Sequence, residues 1–188
     1  QGMCKPLQQK GIWYDVCMDY CAEYSHNTTK LMEYIYHYKS PLGVIQITST
    51  ATAITGALFI DTEKRVIERK KPSVEIPAVI SRAIDYLDAY FSGTKKSCTI
   101  PMEQKGTQLQ RAVWDALKTI PYGSVCTYED LATMIGNPRA VRAVANAVGA
   151  NNLLILIPCH RVIRKDGSMG GFGADPWRKE ELLMNEAR

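Results

Sequence analysis

The residues TYEDLATMIGNPRAVRAVANAV, at positions 127–148, contain two helix starts in close succession. Thr127 with Asp130 three residues later has the spacing of a capping box and predicts a helix over 128–135. The dipeptide Asn137-Pro138 predicts the N-cap and first position of a second helix. Only a glycine and that asparagine then separate the two helices. So tight a joint predicts a helix-turn-helix, although short helix pairs around a glycine also occur in proteins that never touch DNA.

The second predicted helix has an almost bare outer surface. Its predicted buried stripe consists of Val141, Val144, Ala145 and Val148. The other positions carry Ala140, Ala143, Ala147 and Gly149, with Arg139, Arg142 and Asn146 as the long polar side chains. Reading base edges in the major groove requires several bidentate side chains, whereas small residues let a helix enter the minor groove with one arginine acting locally. Packing of an alanine-rich helix against other protein remains the alternative.

A third helix is predicted just before this pair. Thr107 and Gln110 again have capping-box spacing, and the apolar positions that follow lie on one helical face. Residues 92–106 show no sustained period and are interpreted as a linker. We therefore expect a mostly helical carboxy-terminal domain over 107–188.

A small antiparallel sheet is predicted upstream of the linker. Three short alternating runs over 34–60 are separated by turn residues, and apolar residues at helical spacing follow up to Phe91, with Gly93 as a stop signal. The fold class is accordingly α+β, with a small α+β domain over 34–91 in which one helix packs on the sheet. Residues 1–33 are an amino-terminal extension to which no role is assigned.

Composition excludes several function classes. The 188 residues are 46% hydrophobic with a net charge of +4, which permits a nucleic-acid partner without requiring one. The chain has no signal pattern or apolar run long enough to cross a bilayer, so we expect an intracellular protein. The six cysteines show no disulfide pattern. A zinc site would have to use Cys4, Cys17, Cys21 and His26, whose spacing is atypical, and we expect no metal.

The chemistry-bearing motif follows the second helix. An apolar run over 153–157, typical of a strand buried on both faces, leads directly into Pro158-Cys159-His160-Arg161. A thiol there would be rigidly held, although a buried cysteine often acts as a plain small hydrophobe. Near the carboxyl end, Glu186 lies four residues after Leu182 on one helical stripe and should face inward.

The stretch from Thr107 to Glu186 resembles the active-site domain of the O6-alkylguanine-DNA alkyltransferases, and residues 38–91 resemble that family's amino-terminal domain loosely. The motifs that carry the resemblance are Ile120-Pro121-Tyr122-Gly123, Thr127-Tyr128, Asn137-Pro138, Arg142-Ala143-Val144, Asn151, Ile157 to Ile163, Gly167 to Gly173, Arg178-Lys179, Leu182-Leu183 and Glu186. The resemblance implies single-turnover transfer of an alkyl group from O6 of guanine, and possibly O4 of thymine, onto a cysteine without a cofactor. The implied partner is double-stranded DNA carrying O6-alkylguanine, bound by a monomer in the cytoplasm of a bacterium or archaeon or in a eukaryotic nucleus.

The resemblance also implies residue roles. Cys159 would accept the alkyl group, His160 would act as a base through a water, and Glu186 would orient the imidazole. Tyr128 would lie beside the target nucleotide and protonate the leaving guanine, while Arg142 would fill the space that the flipped base vacates. The other residues with implied contacts to DNA are Asn137, Ala143 and Gly149. The residues implied for the substrate pocket and hinge are Asn151, Val162, Phe172 and Gly173.

Departures from the family's pattern concern the pocket. Phe172 stands where tyrosine is frequent, Ala174-Asp175 replaces paired glycines, and Leu154 replaces a proline of some members. The alternative function is that of a non-catalytic lesion-binding protein, but relatives of that kind carry tryptophan at the acceptor position, where this chain has Cys159. A helix-turn-helix transcription regulator is disfavoured, since the bare second helix lacks base-reading side chains.

Overall fold

The computed structural model describes residues 33–60, 76–94 and 97–187, and it has the predicted α+β class. The strands are β1 Tyr34–Ser40, β2 Gly43–Ser49, β3 Ile54–Ile60, β4 Cys126–Thr127 and β5 Val162–Ile163. The α-helices are α1 Ala78–Phe91, α2 Gln108–Leu117, α3 Tyr128–Met134, α4 Val141–Gly149 and α5 Pro176–Glu186, and a 3₁₀ turn spans Cys159–Arg161. Within these described ranges no helix is both long and apolar enough to span a bilayer.

The first three strands form an antiparallel meander in the order β1-β2-β3. Alternation along β2 buries Ile45 and Ile47 completely, while the residues between them are partly exposed. On α1, Ile80 and Leu87 lie on the buried face. Apolar side chains from the sheet and from the helices form one hydrophobic core.

Backbone hydrogen bonds join β3 to the carboxy-terminal half. Ala57 donates to the Asn152 carbonyl at 2.8 Å, and Leu154 donates to the Ala57 carbonyl at 2.9 Å. The segment that leads to Cys159 is therefore fixed to the edge of the amino-terminal sheet.

The joint between α3 and α4 is longer than the sequence predicts. The capping box of Thr127 and Asp130 is present, but α3 ends in a Schellman motif, in which Gly136 donates to the Thr133 carbonyl and Asn137 to the Ala132 carbonyl, each at 2.9 Å. Because Asn137 serves to close α3, it does not cap α4. A turn over 137–140 follows, and α4 begins at Val141 without a side-chain cap. The predicted N-cap at Asn137-Pro138 was wrong.

Packing of α4 also differs from the prediction at one position. Ala147 was placed on the outer surface, yet it is buried, because the Trp114 indole of α2 donates to its carbonyl at 2.9 Å. Val144 and Val148 are buried as predicted, whereas Val141 and Ala145 are partly exposed. The capping box of Thr107 and Gln110 at the start of α2 is present as predicted.

The apolar run over 153–157 is buried, but it is not a strand. Ile157 donates back to the Leu153 carbonyl at 2.8 Å, and Ile155 has φ of 70°. A β-branched residue in the left-handed region is rare and costs about 1–3 kcal/mol. The run is thus a tight, buried turn that leads directly into Pro158 and Cys159.

Candidate active site

Cys159 begins the 3₁₀ turn and is 1% exposed. The Asn151 side-chain amide donates to its Sγ atom at 3.1 Å and to the Ile157 carbonyl at 3.1 Å. The side-chain oxygen of Asn151, Oδ1, accepts one hydrogen bond from the Leu153 backbone amide and one from the Gln104 side chain. Asn151 is the second residue after α4, and its side chain joins this part of the chain to the thiol.

Burial raises the pKa of Cys159 to about 11, against the opposing effects of the Asn151 hydrogen bond and the Lys179 charge. At neutral pH the resting group is therefore a thiol. Since the thiolate is the nucleophilic form of cysteine, any reaction at this sulfur requires a base that removes the proton.

Glu186, at the end of α5, is 4% exposed and accepts five hydrogen bonds. Its Oε1 atom accepts from His160 Nε2 at 2.7 Å, from the Tyr90 hydroxyl at 2.8 Å and from Arg161 Nη2 at 3.0 Å. Its Oε2 atom accepts from Arg161 Nε at 2.8 Å and from the Gly123 amide at 3.0 Å. The predicted inward orientation of Glu186 is thus observed, and we call these residues the Glu186 network.

Protonation states in the Glu186 network follow from its contacts. Burial alone would raise the pKa of Glu186, but hydrogen bonds from His160 and Arg161 outweigh burial and lower this pKa to about 2. Burial lowers the pKa of His160, in spite of its carboxylate partner. At neutral pH the carboxylate is ionised and the imidazole is neutral. Because an ionised carboxylate only accepts, Nε2 carries the imidazole proton, and Nδ1 is the basic nitrogen. Among the described residues, nothing hydrogen-bonds to that buried Nδ1 atom.

Two members of the Glu186 network were missed in the sequence analysis. Arg161 was quoted in the motif without a role, yet it is buried, and it also donates to the Ile120 carbonyl at 2.6 Å. An arginine inside a run of apolar residues was the available signal, because a buried guanidinium needs a carboxylate. Tyr90 lies in the helix α1, 96 residues before Glu186. No local pattern indicated that contact.

The glycine-rich loop is held by a buried lysine. Lys179 on α5 is 0% exposed, and its ammonium group donates to the carbonyls of Val162, Met169 and Gly171. Burial lowers its pKa to about 8. The Tyr128 hydroxyl donates to the same Gly171 carbonyl at 3.4 Å. Tyr128 is thereby fixed against the loop.

Of the predicted pocket residues, Phe172 and Gly173 belong to this loop, and the Val162 carbonyl shares the Lys179 ammonium with it. Burial raises the pKa of the Tyr128 hydroxyl, and the nearby Cys159 raises it further. Val162 is buried and pairs with Cys126, Phe172 is partly buried, and Gly173 is exposed. A β-carbon on Gly173 would lie 3.2 Å from the Leu154 side chain, which would have to shift slightly to make room for it.

The predicted DNA-contacting residues of the helix-turn-helix lie on the protein surface, unlike the buried Cys159. Asn137, Arg142, Ala143 and Gly149 are all exposed. Within the described part of the chain, Arg142 makes no hydrogen bond or ion pair, so its guanidinium is available to a ligand. Asn137 stands in the turn before α4 rather than at its N-cap.

The candidate zinc ligands are not among the residues that the structure describes. Cys4, Cys17, Cys21 and His26 lie outside the described residues. In the ranges that are described, no group of three or more potential ligands could hold a metal ion.

Family models match both halves of the chain. Residues 32–104 match the ribonuclease-like domain of 6-O-methylguanine DNA methyltransferase, and residues 108–188 match its DNA-binding domain. A methylated-DNA–protein-cysteine methyltransferase of Haemophilus influenzae is 40% identical over 160 residues, covering 81% of this chain and 86% of the relative. The constitutive enzyme of that name from Bacillus subtilis is 36% identical, covering 84% and 96% respectively.

Solved structures agree with these relatives. The O6-methylguanine methyltransferase of Mycobacterium tuberculosis superposes with a TM-score of 0.72 at 34% identity, covering 83% of this chain and 93% of that one. The M. tuberculosis OGT in complex with DNA gives a TM-score of 0.70 at 35% identity, covering 80% and 91%.

Proposed function

The chain belongs to the methylated-DNA–protein-cysteine methyltransferase family, and on that premise we propose that it repairs DNA by moving an alkyl group from O6 of guanine to Cys159. The observation that carries the proposal is a buried Cys159 thiol followed directly in the chain by His160, whose neutral imidazole is held in one tautomer by an ionised Glu186. Both acceptor and base are then present without a metal or an organic cofactor. A protein with this function would act inside the cell, and we expect it to act as a monomer.

The bonds formed and broken balance without a further reactant. Cys159 Sγ attacks the alkyl carbon, the S–C bond forms, and the C–O6 bond breaks with its electron pair leaving on guanine. The thiol proton goes to His160 Nδ1, through a water, and the imidazolium is stabilised by Glu186. Tyr128 gives a proton to the leaving base or hydrogen-bonds to it. Since the thioether has no leaving group to restore the thiol, each protein molecule reacts once.

Access to the thiol requires that the base leave the duplex. O6 of a stacked guanine cannot reach a sulfur that is 1% exposed, so the nucleotide must flip into the pocket beside Tyr128. Exposed small residues on α4, Ala143 and Gly149, suit close approach to the minor groove. Arg142 would fill the vacated position in the base stack.

A non-catalytic lesion-binding function fits this site poorly. Such a protein needs neither an acceptor thiol nor a base, whereas here Asn151 donates to the sulfur of Cys159, and Glu186 orients the imidazole of His160.

The test measures stoichiometry. We expect duplex DNA with one O6-methylguanine to lose one methyl per protein molecule and a second addition of DNA to remain unrepaired. Cys159→Ala should bind the lesion and transfer nothing, while Cys126→Ala, which removes a partly buried thiol, should transfer normally. Repeated turnover, or transfer by Cys159→Ala, would refute the proposal.

A further inference from the structure

Tyr90 connects the amino-terminal half to the Glu186 network. It is the penultimate residue of α1 and is 0% exposed. Its hydroxyl donates to Glu186 Oε1 at 2.8 Å and lies 3.4 Å from His160 Nε2. Its ring meets the Tyr122 and His160 rings edge to face, with centroids 5.9 Å and 6.4 Å apart. A single side chain therefore contacts both the carboxylate and the imidazole.

The hydroxyl differs from the other donors to Glu186 Oε1 in its charge. Arg161 is a permanent cation, and His160 becomes a cation when it takes a proton. Tyr90 remains neutral, because burial and then the Glu186 charge raise its pKa. It fixes the position of the carboxylate oxygen without repelling the imidazolium that forms in the reaction.

Tyr90 also limits how the imidazole can move. His160 Nε2–H points to an oxygen that already accepts from two other groups, and the Tyr90 oxygen lies within reach of the same N–H. Loss of the hydroxyl would remove one of the bonds that fix Glu186 Oε1, and the carboxylate and the imidazole could then shift together. The backbone of the same residue is fixed as well, since Asn185 donates to the Tyr90 carbonyl at 3.3 Å.

From these contacts we propose that Tyr90 is a positioning residue for alkyl transfer, which holds the Glu186 carboxylate so that His160 keeps Nδ1 available as the base. The inference rests on the proposed roles of His160 and Glu186. It assigns to the amino-terminal half a part in the reaction itself.

The test uses Tyr90→Phe in the full chain, which keeps the ring and removes the hydroxyl. Single-turnover transfer from O6-methylguanine duplex is measured across pH. We expect a rate roughly ten-fold below wild type, in line with loss of one hydrogen bond to a charged group. The acidic limb of the profile should move to higher pH, because the carboxylate loses a neutral donor and stabilises the imidazolium more strongly. In a His160→Ala background the same change should have little further effect.

Tyr38→Phe is the matched control. Tyr38 is 4% exposed on β1, and its hydroxyl donates to Asp88 of α1 at 2.8 Å, so this change also removes a tyrosine hydroxyl that contacts α1. We expect its rate and pH profile to match wild type. If Tyr90→Phe fails to fold, Tyr90→His, which keeps a ring N–H donor, takes its place. It should react with a pH profile closer to wild type than that of Glu186→Gln, and a profile like that of Glu186→Gln would overturn the inference.

The outcomes separate the inference from the proposed function. No transfer by wild type, or an unimpaired His160→Ala, would reject the proposed mechanism itself. A slow His160→Ala together with a wild-type rate and profile for Tyr90→Phe would reject only the role of Tyr90. A slower Tyr90→Phe with an unshifted profile and an undiminished effect in the His160→Ala background would reduce Tyr90 to a packing residue.

Discussion

The Glu186 network and the outer face of α4 differ in whether their charged side chains are buried and paired. In the network every charged group is buried and has a partner, and Glu186 alone accepts five hydrogen bonds. On α4 the guanidinium of Arg142 is exposed and unpaired within the described residues. A buried arrangement in which each charge is paired suits chemistry that must be the same at each event, whereas an exposed, unpaired cation suits a ligand that arrives from solution. We infer that alkyl transfer and DNA recognition depend on separate surfaces and can be impaired separately.

The largest expected effect is on the chemical step. His160→Ala should slow transfer roughly a thousand-fold on duplex DNA and on free O6-benzylguanine alike, since the lost base acts on the thiol in both reactions. Glu186→Gln should also slow both, and the double variant should lose far less than the product of the two effects. Single-turnover rates measure this.

Glu181→Gln is the control for that cycle, because Glu181 is an exposed carboxylate on the same helix. It should leave both rates unchanged. Fully additive effects of His160→Ala and Glu186→Gln would remove Glu186 from the mechanism.

The second-largest expected effect is a loss of stability in acid, because protonation weakens the Glu186 network. The pKa of Glu186 is about 2, below its ordinary 4.5, so its contribution is fully present above pH 4.5 and is lost as the pH falls toward 2. That contribution amounts to roughly 3 kcal/mol at most. His160, whose pKa is also lowered, makes stability fall in the same direction, beginning near pH 6.5, where the unfolded chain takes up a proton. We expect the free energy of unfolding of the wild type to decline below pH 6.5. Below pH 4.5, the free energy of unfolding of Glu186→Gln should decline less steeply than that of the wild type.

Denaturant titrations at several pH values would show this decline. Glu181→Gln is a suitable comparison, because Glu181 is an exposed carboxylate on α5 outside the network, and its curve should parallel that of wild type. Parallel curves for wild type and Glu186→Gln would contradict the assignment of the buried charge.

Arg142→Ala should act on the other surface. If Arg142 holds the flipped state open, its loss should slow repair of duplex DNA roughly thirty-fold, because the few kcal/mol of unstacking are no longer offset. The reaction with free O6-benzylguanine should keep its rate, provided that this base enters the pocket. Arg139→Ala, which removes a neighbouring exposed arginine, should only weaken binding and reduce the salt slope by about one. An unchanged duplex rate for Arg142→Ala at saturating protein, with only the salt slope altered, would leave Arg142 as a phosphate contact.

The smallest expected effect concerns the N-terminal cap of α3, the helix that precedes α4. Thr127→Ala removes the hydroxyl that accepts from the Asp130 amide and donates to the Asp130 carboxylate at the start of α3, and it should lower the free energy of unfolding by about 1 kcal/mol. The rate on free O6-benzylguanine should not change. A loss of that rate would mean that the helix-turn-helix also shapes the chemical site.

Local signals in the sequence were sufficient where local bonds determine the structure. The capping boxes at Thr107 and Thr127 lie three residues from their partners, and the alternation in β2 requires only a buried face. Asn137 misled because the end of α3 competes with the start of α4 for the same residue. The strand predicted over 153–157 was wrong because an apolar run indicates burial but not backbone conformation. Nothing in the residue types shows that Ile155 adopts a left-handed conformation.

Long-range contacts account for what the sequence could not predict in the site. Cys159, His160 and Glu186 were identified through motif resemblance, and Glu186 also through its helical spacing. Tyr90 could not be found, since its contact to Glu186 depends on how α1 meets α5. The ammonium of Lys179 could not be assigned either, because its partners are backbone carbonyls of a loop.

Peptide mapping of the methylated protein tests the central claim most directly. The full chain is reacted with one equivalent of O6-methylguanine duplex, digested, and each of its six cysteines is scored for an added methyl group. The account predicts the methyl on Cys159 alone, with its yield matching the repaired DNA. Methyl on Cys126, Cys98 or an amino-terminal cysteine, with Cys159 unmodified, would contradict it.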